Sequence, residues 1–237
     1  MTGRVGFAYG QARIQAHYGR LLNASEWSRL DRVVDYGELV QMAQTTALRP
    51  WLANLGPDSN AHQIELALRH VFRRHVRQVA DWLPRKWRPA VRWFAALEDL
   101  PAAGYLKSGA PAPAWMQNDP VYAPLIALPP GERRGAADRS PLAPLMLADV
   151  HAAQAWIRHW RRLWPAASRS VTGPLERLAG VVSTDTPGTG ETDWLARVFR
   201  RQAQRPAAVF AYLCLVRRQA NRLRGALLGR RLLERGA

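Results

Sequence analysis

The residues of this sequence that could carry out acid–base or metal chemistry are few and lie far apart. Histidine, a common metal ligand, occurs at His17, His62, His70, His75, His151 and His159. His62 and Glu65 can share one face of a helix, but no third ligand lies near them in the sequence. His70 and His75 are five residues apart, a spacing that makes them diverge around a helix. The histidines therefore predict no metal site.

Nucleophilic and phosphate-binding groups are equally scarce. Cys214 is the only cysteine, and no histidine or carboxylate is fixed beside it, so we predict a small buried apolar side chain without a disulfide. Gly188, Thr189 and Gly190 form a short loop, but the Gly-Lys-Ser or Gly-Lys-Thr of a phosphate-binding loop does not follow. We predict no catalytic residue, no cofactor, no metal, no small-molecule substrate and no enzymatic activity.

Cations alternate with indole rings in one segment. Its order is Trp156, Ile157, Arg158, His159, Trp160, Arg161, Arg162, Leu163 and Trp164. Such a patch can stack nucleic-acid bases and hold phosphates. A helix with a buried Trp face and a solvated Arg face has the same pattern, and the four-residue spacing of the Trp favours this second interpretation.

Positive charge is concentrated near the end of the chain. The 237 residues carry a formal net charge of +16, which favours nucleic acid, an anionic membrane surface or an acidic protein as partner. Codon bias in a GC-rich genome can account for part of the arginine content. Residues 195–237 nevertheless hold eleven Arg against one Glu. On the last helix we expect an Arg face that has no acidic neighbours, so that a partner would neutralise its charge. It consists of Arg217, Arg224, Arg231 and Arg235, with Arg218 and Arg222 beside it.

The elements that position these residues are predicted to be helices throughout. Apolar residues recur at three- and four-residue spacing, and no β-branched alternation indicates a strand. We expect helices over residues 7–22, 25–33, 36–52, 60–83, 86–106, 144–164, 171–182, 192–204 and 206–233. Ser25 is expected to cap the second helix, and Asn60 with Gln63 the fourth. We place Tyr9, Ala12, Ala16 and Gly19 on the apolar stripe of the first helix, and Arg69, Arg73 and Arg77 on the solvated face of the fourth.

Proline-rich composition divides the chain. We predict an N-terminal helical lobe at 1–108, a Pro-rich linker or compressed middle at 109–143, and a C-terminal helical lobe at 144–237. The N-terminus lacks the apolar core of a signal peptide. No apolar run reaches the roughly 20 residues of a membrane span. We therefore expect a cytoplasmic protein.

Both ends of the chain resemble one family, the C-type subunits of archaeal and bacterial A/V-type ATPases and their eukaryotic relatives, the d-type subunits of the vacuolar ATPase. The opening of that family reads Tyr, any residue, Asn, Ala, Arg and an aliphatic, with Leu-Leu later. Here the matching positions are Tyr9, Ala12, Arg13, Leu21 and Leu22. The end of the family pattern reads Tyr, Glu, Asn-Leu-Arg and Gly-Lys, and here the corresponding positions are Tyr212, Gln219, Arg222, Leu223, Arg224, Gly229 and Arg230.

Three of these positions depart from the family pattern. Gln11 replaces the usual Asn, Gln219 stands where the family prefers Glu, and Arg222 stands where it prefers Asn. The resemblance covers about half of a chain that is shorter than typical members. It implies the funnel-like fold of that family, with two helical lobes, or three with one compressed.

The resemblance also implies a function. The family forms a non-catalytic adaptor on the cytoplasmic face of the membrane, which couples the central shaft to the rotor ring for ion transport. The expected partners are therefore the rotor-ring and central-shaft subunits, with an anionic membrane surface nearby. The alternative is a basic helical protein that binds nucleic acid, which the Arg-rich chain end and the Trp–Arg segment favour.

Overall fold

The computed structural model of the protein describes residues 2–129, 132–167, 169–182 and 190–236. Within these ranges the chain forms α-helices joined by 3-10 turns and loops, without a strand, so the all-α prediction is confirmed. In the same ranges, no helix is both long and apolar enough to cross a membrane. Gly188 and Thr189 of the predicted loop lie outside the described residues.

The helices run in the following order along the chain: α1 (Thr2–Tyr18), α2 (Ala24–Asp31), α3 (Tyr36–Gln44), α4 (Ala61–Asp81), α5 (Arg88–Trp93), α6 (Leu100–Lys107), α7 (Ala123–Ile126), α8 (Arg133–Ala137), α9 (Ala143–Met146), α10 (Ala152–Arg162), α11 (Arg169–Val182), α12 (Glu191–Arg201) and α13 (Pro206–Gly236). Short 3-10 turns occupy Arg49–Trp51, Arg85–Trp87, Phe94–Asp99 and Ala114–Asn118.

Side-chain caps determine where two of these helices begin. The Asn60 side chain accepts the N–H of Gln63, whose side chain accepts the N–H of Asn60, so the predicted cap of α4 is confirmed. The predicted cap of α2 is wrong, because Asn23 rather than Ser25 makes the reciprocal pair with Glu26. The Asn23 side chain accepts the N–H of Glu26, and the Glu26 side chain accepts the N–H of Asn23. The helix therefore begins at Ala24, directly after Asn23.

Three predicted helices are shorter or interrupted in the structure. The expected helix over residues 86–106 is divided by the turn Phe94–Asp99, and Pro101 lies in the first turn of α6, where its missing N–H does no harm. The helix expected over 36–52 ends at Gln44, and the one expected over 144–164 is split between α9 and α10. Proline and local hydroxyl contacts override the apolar periodicity at these points.

The apolar stripe predicted for α1 is wrong. Tyr9, Ala12, Ala16 and Gly19 are exposed, whereas the buried positions of the helix include Phe7, Gly10, Gln11 and Ile14. Because Gly10 has no side chain, α1 can approach the end of α4 closely. A Cβ built there would lie 2.8 Å from Leu83 Cδ2 and 3.0 Å from the carbonyl oxygen of Trp82.

The core is organised around α13, whose residues from Ala207 to Val216 are buried. This helix packs against α12, α11, α4, α3 and α1. Helices on both sides of residues 109–143 contribute to one buried apolar cluster. The division into lobes at 1–108, 109–143 and 144–237 stays a prediction. Cys214 is buried in the cluster, as predicted, and burial raises the pKa of its thiol to about 12.

The Trp–Arg segment of α10 has a buried Trp face and a solvated Arg face, which is the second of the two interpretations given above. Trp156 and Trp160 are completely buried, and Trp160 packs edge-to-face on Phe210 of α13 with ring centroids 4.8 Å apart. Arg158 and Arg162 are exposed. The two buried indoles are therefore part of the core and are not free to stack on bases.

Candidate functional site

The two segments that carry the family resemblance meet at the end of α1. The backbone N–H of Leu22 donates to Gln219 Oε1 at 2.8 Å, and both residues are buried. Leu21, beside them, is half-buried, and Leu223 is buried one turn further along α13. The structure therefore brings together residues from positions 21–22 and 219–223, although the sequence separates them by most of its length.

A second glutamine links α1 to the start of α13. Gln11 Oε1 accepts the N–H of Gln204 at 3.2 Å. Gln204 has a φ of 62°, in the left-handed region that non-glycine residues seldom adopt. Gln11 and Gln219 both depart from the family pattern, and both accept a backbone N–H that joins the two chain ends.

The outer face of α1 holds three of the predicted site residues. Tyr9, Ala12 and Arg13 are exposed. The Arg13 guanidinium lies 4.9 Å from the Tyr9 ring centroid and 5.6 Å from that of Trp82. These residues face away from the contact between Leu22 and Gln219, so the structure does not bring them into the same site.

Tyr212 is buried beside a cluster of histidine and tryptophan rings. Its hydroxyl forms a hydrogen bond of 2.9 Å with His75 Nε2. Burial lowers the pKa of His75 to about 4 and raises the pKa of Tyr212. The His17 ring packs on His75 and on Trp82, with centroids 5.7 and 5.2 Å away. At neutral pH the imidazole of His75 is therefore uncharged.

The remaining predicted residues attach the far end of α13 to α2 and the loop that follows it. Arg222 pairs with Asp31 at 2.6 Å and lies over the Trp27 ring. Arg230 donates to the backbone carbonyl oxygens of Leu30, Asp31 and Val33. Gly229 is exposed, and a Cβ built on it would meet nothing within 4 Å.

The expectation that the arginines of α13 lack acidic neighbours is wrong. Glu234 lies on α13 itself, whereas the other carboxylates come from other parts of the chain and reach the helix only in the folded protein. The ion pairs are Arg217 with Glu98, Arg218 with Glu191, Arg222 with Asp31, Arg224 with Glu65 and Glu98, and Arg231 with Glu234. The Arg235 side chain lies outside the described part of the structure. Most of the predicted Arg face is therefore neutralised within the chain.

The same ion pairs extend into a buried network that the sequence did not indicate. Arg69 and Arg73 were expected on the solvated face of α4, but both are buried. Both donate to Asp99 Oδ1, at 3.0 and 2.8 Å, and Arg73 also donates to Asp119 at 2.6 Å. The Tyr122 hydroxyl adds a third donor to Asp99. The only sequence signal was the acidic pair at residues 98–99, inside an otherwise apolar segment.

Glu98 joins this network to α13. Burial alone would raise the pKa of its carboxyl, but the opposing charges of Arg224 and Arg217 outweigh burial and lower that pKa. Glu98 Oε1 accepts Arg217 Nε at 3.0 Å, and Arg224 Nε also lies 3.0 Å from Glu65 Oε2. A charged Glu98 therefore connects α13 with the turn Phe94–Asp99, and Glu65 connects α13 with α4.

Between α1, α4 and α13 lies an open cleft with a volume of about 900 Å³. Its lining includes Tyr212, His75, Gln219 and Trp51. Among the described residues, no group of three or more His, Cys, Asp or Glu side chains is placed to hold a metal ion.

The arginines that remain unpaired within the described residues lie mainly outside α13. Arg197, Arg200 and Arg201 of α12 are exposed and form no ion pair with a described residue, and Arg177 of α11 shares this property. The exposed arginines without an ion pair among the described residues therefore include a group on α11 and α12.

Comparison of the chain with protein-family models, with curated proteins and with solved structures finds no match.

Proposed function

We propose that this chain is a non-catalytic central-stalk adaptor of a rotary A/V-type ATPase, which couples the central shaft to the membrane rotor ring for ion transport. The proposal rests on the resemblance of both chain ends to the C-type and d-type subunits of these ATPases. One observation carries it: the N–H of Leu22 donates to Gln219. The two segments that carry the resemblance thus contact each other, as parts of a single functional unit would.

An adaptor that transmits torque has to resist deformation between its two partners. Close-packed interiors transmit strain, and buried ion pairs restrain the relative positions of the helices that hold them. Arg224 binds Glu65 and Glu98, while Arg230 binds the carbonyl oxygen of Val33. α13 is thus fixed at several points along its length, which suits a rigid coupler.

The end of α13 offers an apolar surface for such a partner. Leu232 and Leu233 are 61% and 73% exposed, and Val34 is 82% exposed. The N–H of Tyr36 donates to Glu234 Oε1, so the end of α13 lies along the loop that contains Val34. Exposed apolar residues grouped in this way favour a protein contact. In this proposal the chain is peripheral to the cytoplasmic face, where its basic side lies near anionic headgroups.

Co-purification tests the proposal. The tagged full-length chain, extracted from its native cells in mild detergent, is expected to bring down rotor-ring and central-shaft subunits, identified by mass spectrometry. The double change Leu232→Asp and Leu233→Asp is expected to reduce their yield. Tyr105→Asp, at another exposed apolar residue, is the matched control and leaves the yield unchanged. Recovery of neither ring nor shaft subunits would overturn the proposal.

Nucleic-acid binding is the second candidate function, and the unpaired Arg197, Arg200 and Arg201 favour it. It predicts binding to generic DNA or RNA with a steep inverse dependence on salt, because each phosphate contact releases counterions. Changing all three residues to Gln is expected to reduce that slope, whereas Arg158→Gln with Arg162→Gln on α10 is not. Negligible binding at low salt would exclude this function.

A further inference from the structure

The cleft between α1, α4 and α13 is lined by hydrogen-bond donors and by no carboxylate. Its polar lining residues are His17, Arg20, Arg74, His75, Gln78, Tyr212 and Gln219. In this part of the described structure, neither Arg20 nor Arg74 forms an ion pair or side-chain hydrogen bond with a described residue. This contrasts with α13, where carboxylates neutralise the arginines. The cleft therefore has a net positive lining with no counter-charge among the described residues.

The two arginines come from different parts of the fold and are both exposed. Arg20 follows the end of α1, and Arg74 lies on α4 one residue before His75. Burial first, then the charges of Arg20 and Arg13, lower the pKa of His17. Gln219 Oε1 is occupied by the N–H of Leu22, and no described residue accepts a hydrogen bond from its amide nitrogen. The free polar groups of the cleft are thus suited to an oxyanion.

The rest of the lining is apolar. Trp51, Val71, Val216, Leu21, Ala47 and Pro50 contribute to it. Small-molecule sites typically have a volume of about 300–1,000 Å³ and combine an apolar lining with a few convergent polar groups. The cleft, at about 900 Å³, has this combination. It has room for an apolar body beside the charged head of a ligand.

We propose that this cleft binds an amphipathic oxyanion, a phosphate or carboxylate head attached to an apolar tail. Arg20 and Arg74 hold the head at the opening of the cleft, and the amide of Gln219 offers a further donor. The tail lies against Trp51, Val71 and Val216. This site is independent of the rotary role proposed above, because it requires neither the shaft nor the ring.

Titration of octyl phosphate into the full-length chain, followed by calorimetry, tests the site. Saturable single-site binding is expected. Inorganic phosphate, which lacks the tail, is expected to bind at least about tenfold more weakly, and octyl glucoside, which lacks the charge, is expected not to compete. If octyl glucoside displaces octyl phosphate equally well, the charged head contributes nothing and the proposal is wrong.

Variants separate this site from general attraction to a basic protein. Arg20→Gln with Arg74→Gln is expected to weaken octyl phosphate binding by at least about tenfold. The matched pair Arg200→Gln with Arg201→Gln removes the same charge from α12 and is expected to leave the affinity unchanged. Gln219→Glu places a carboxylate in the cleft and is expected to weaken binding while the chain stays folded by circular dichroism. Equal affinities in all three variants would overturn the proposal.

A vesicle assay identifies the source of the oxyanion. Vesicles of phosphatidylcholine with phosphatidylglycerol are compared with vesicles of phosphatidylcholine alone in a flotation experiment. Flotation that requires both phosphatidylglycerol and the two arginines Arg20 and Arg74 assigns the site to a lipid headgroup. Arginine-dependent binding of octyl phosphate without such flotation assigns it to a soluble amphiphile. If the Arg20→Gln, Arg74→Gln variant keeps both octyl phosphate binding and flotation, both assignments are wrong.

Discussion

The backbone N–H of Leu22 donates to the side-chain oxygen of Gln219 across 197 positions of the sequence. Leu22 follows the end of α1, where backbone groups have lost their helical partners, and Gln219 lies in the buried part of α13. One side chain therefore satisfies a buried donor and joins the beginning of the chain to its last helix.

The first prediction concerns this acceptor. Gln219→Leu leaves the Leu22 N–H buried without a partner, which is expected to lower the free energy of unfolding by about 1–3 kcal/mol. Gln219→Glu keeps an acceptor and is expected to lose much less. Urea unfolding of the two variants measures the difference. Equal losses for Leu and Glu would show that the hydrogen bond does not contribute.

The contact between Leu22 and Gln219 was not predicted from the sequence. The amphipathic pattern of α4, in contrast, predicted that helix well. The buried face of α1 was not predictable from apolar periodicity. Gly10 lies on that face because it has no side chain to keep the neighbouring residues apart, and a pattern of apolar side chains does not show this. A close approach between two helices depends on the partner surface, which the local pattern does not contain.

The second prediction concerns the buried ion pairs of α13. Glu98→Gln removes the buried charge that faces Arg217 and Arg224, and it is expected to lower the free energy of unfolding by about 3 kcal/mol because two partly buried cations lose a counter-charge. The matched change Asp81→Asn breaks the exposed pair with Arg92 and is expected to cost less than about 1 kcal/mol. Chemical denaturation of both variants checks this, and similar losses would contradict it.

Sequence reasoning missed this network for a physical reason. An arginine at a helix position such as Arg73 is normally solvated, and a local pattern cannot show that Asp99 and Asp119 fold over it. Likewise, the charge of α13 was counted along the chain, while its counter-charges at Asp31, Glu65 and Glu98 are remote in sequence. Local composition therefore overestimated the free positive charge of the last helix.

The third prediction contrasts two glycines. Gly10→Ala places a methyl group 2.8 Å from Leu83 Cδ2 and against the Trp82 carbonyl, so it is expected to lower the free energy of unfolding by about 1–3 kcal/mol. Gly229→Ala, on the exposed face of α13 with nothing nearby, is expected to raise it by about 0.5–1 kcal/mol, because alanine favours a helix. Thermal melts of the two variants should shift in opposite directions. A lower melting temperature for Gly229→Ala would contradict the prediction.

The fourth prediction concerns pH. Burial lowers the pKa of His75 from about 6.5 in the unfolded chain to about 4 in the folded protein. Between these values the unfolded chain binds more protons, so the stabilising contribution is complete above pH 6.5 and is lost as the pH falls towards 4. Each pKa unit corresponds to about 1.4 kcal/mol, which predicts a loss of about 2 kcal/mol between pH 7 and pH 5.

A glutamine variant isolates this contribution. Since its amide can still bind the Tyr212 hydroxyl without taking up a proton, His75→Gln is expected to unfold with a shallower dependence on pH over this range. Part of the dependence remains, because burial also lowers the pKa of His17, His70 and His159. His62→Gln, which removes an exposed imidazole of α4, is the matched control. Urea titrations at pH 7 and pH 5 compare the three proteins. An unchanged slope in His75→Gln would show that the pKa of His75 does not differ between the folded and unfolded chains.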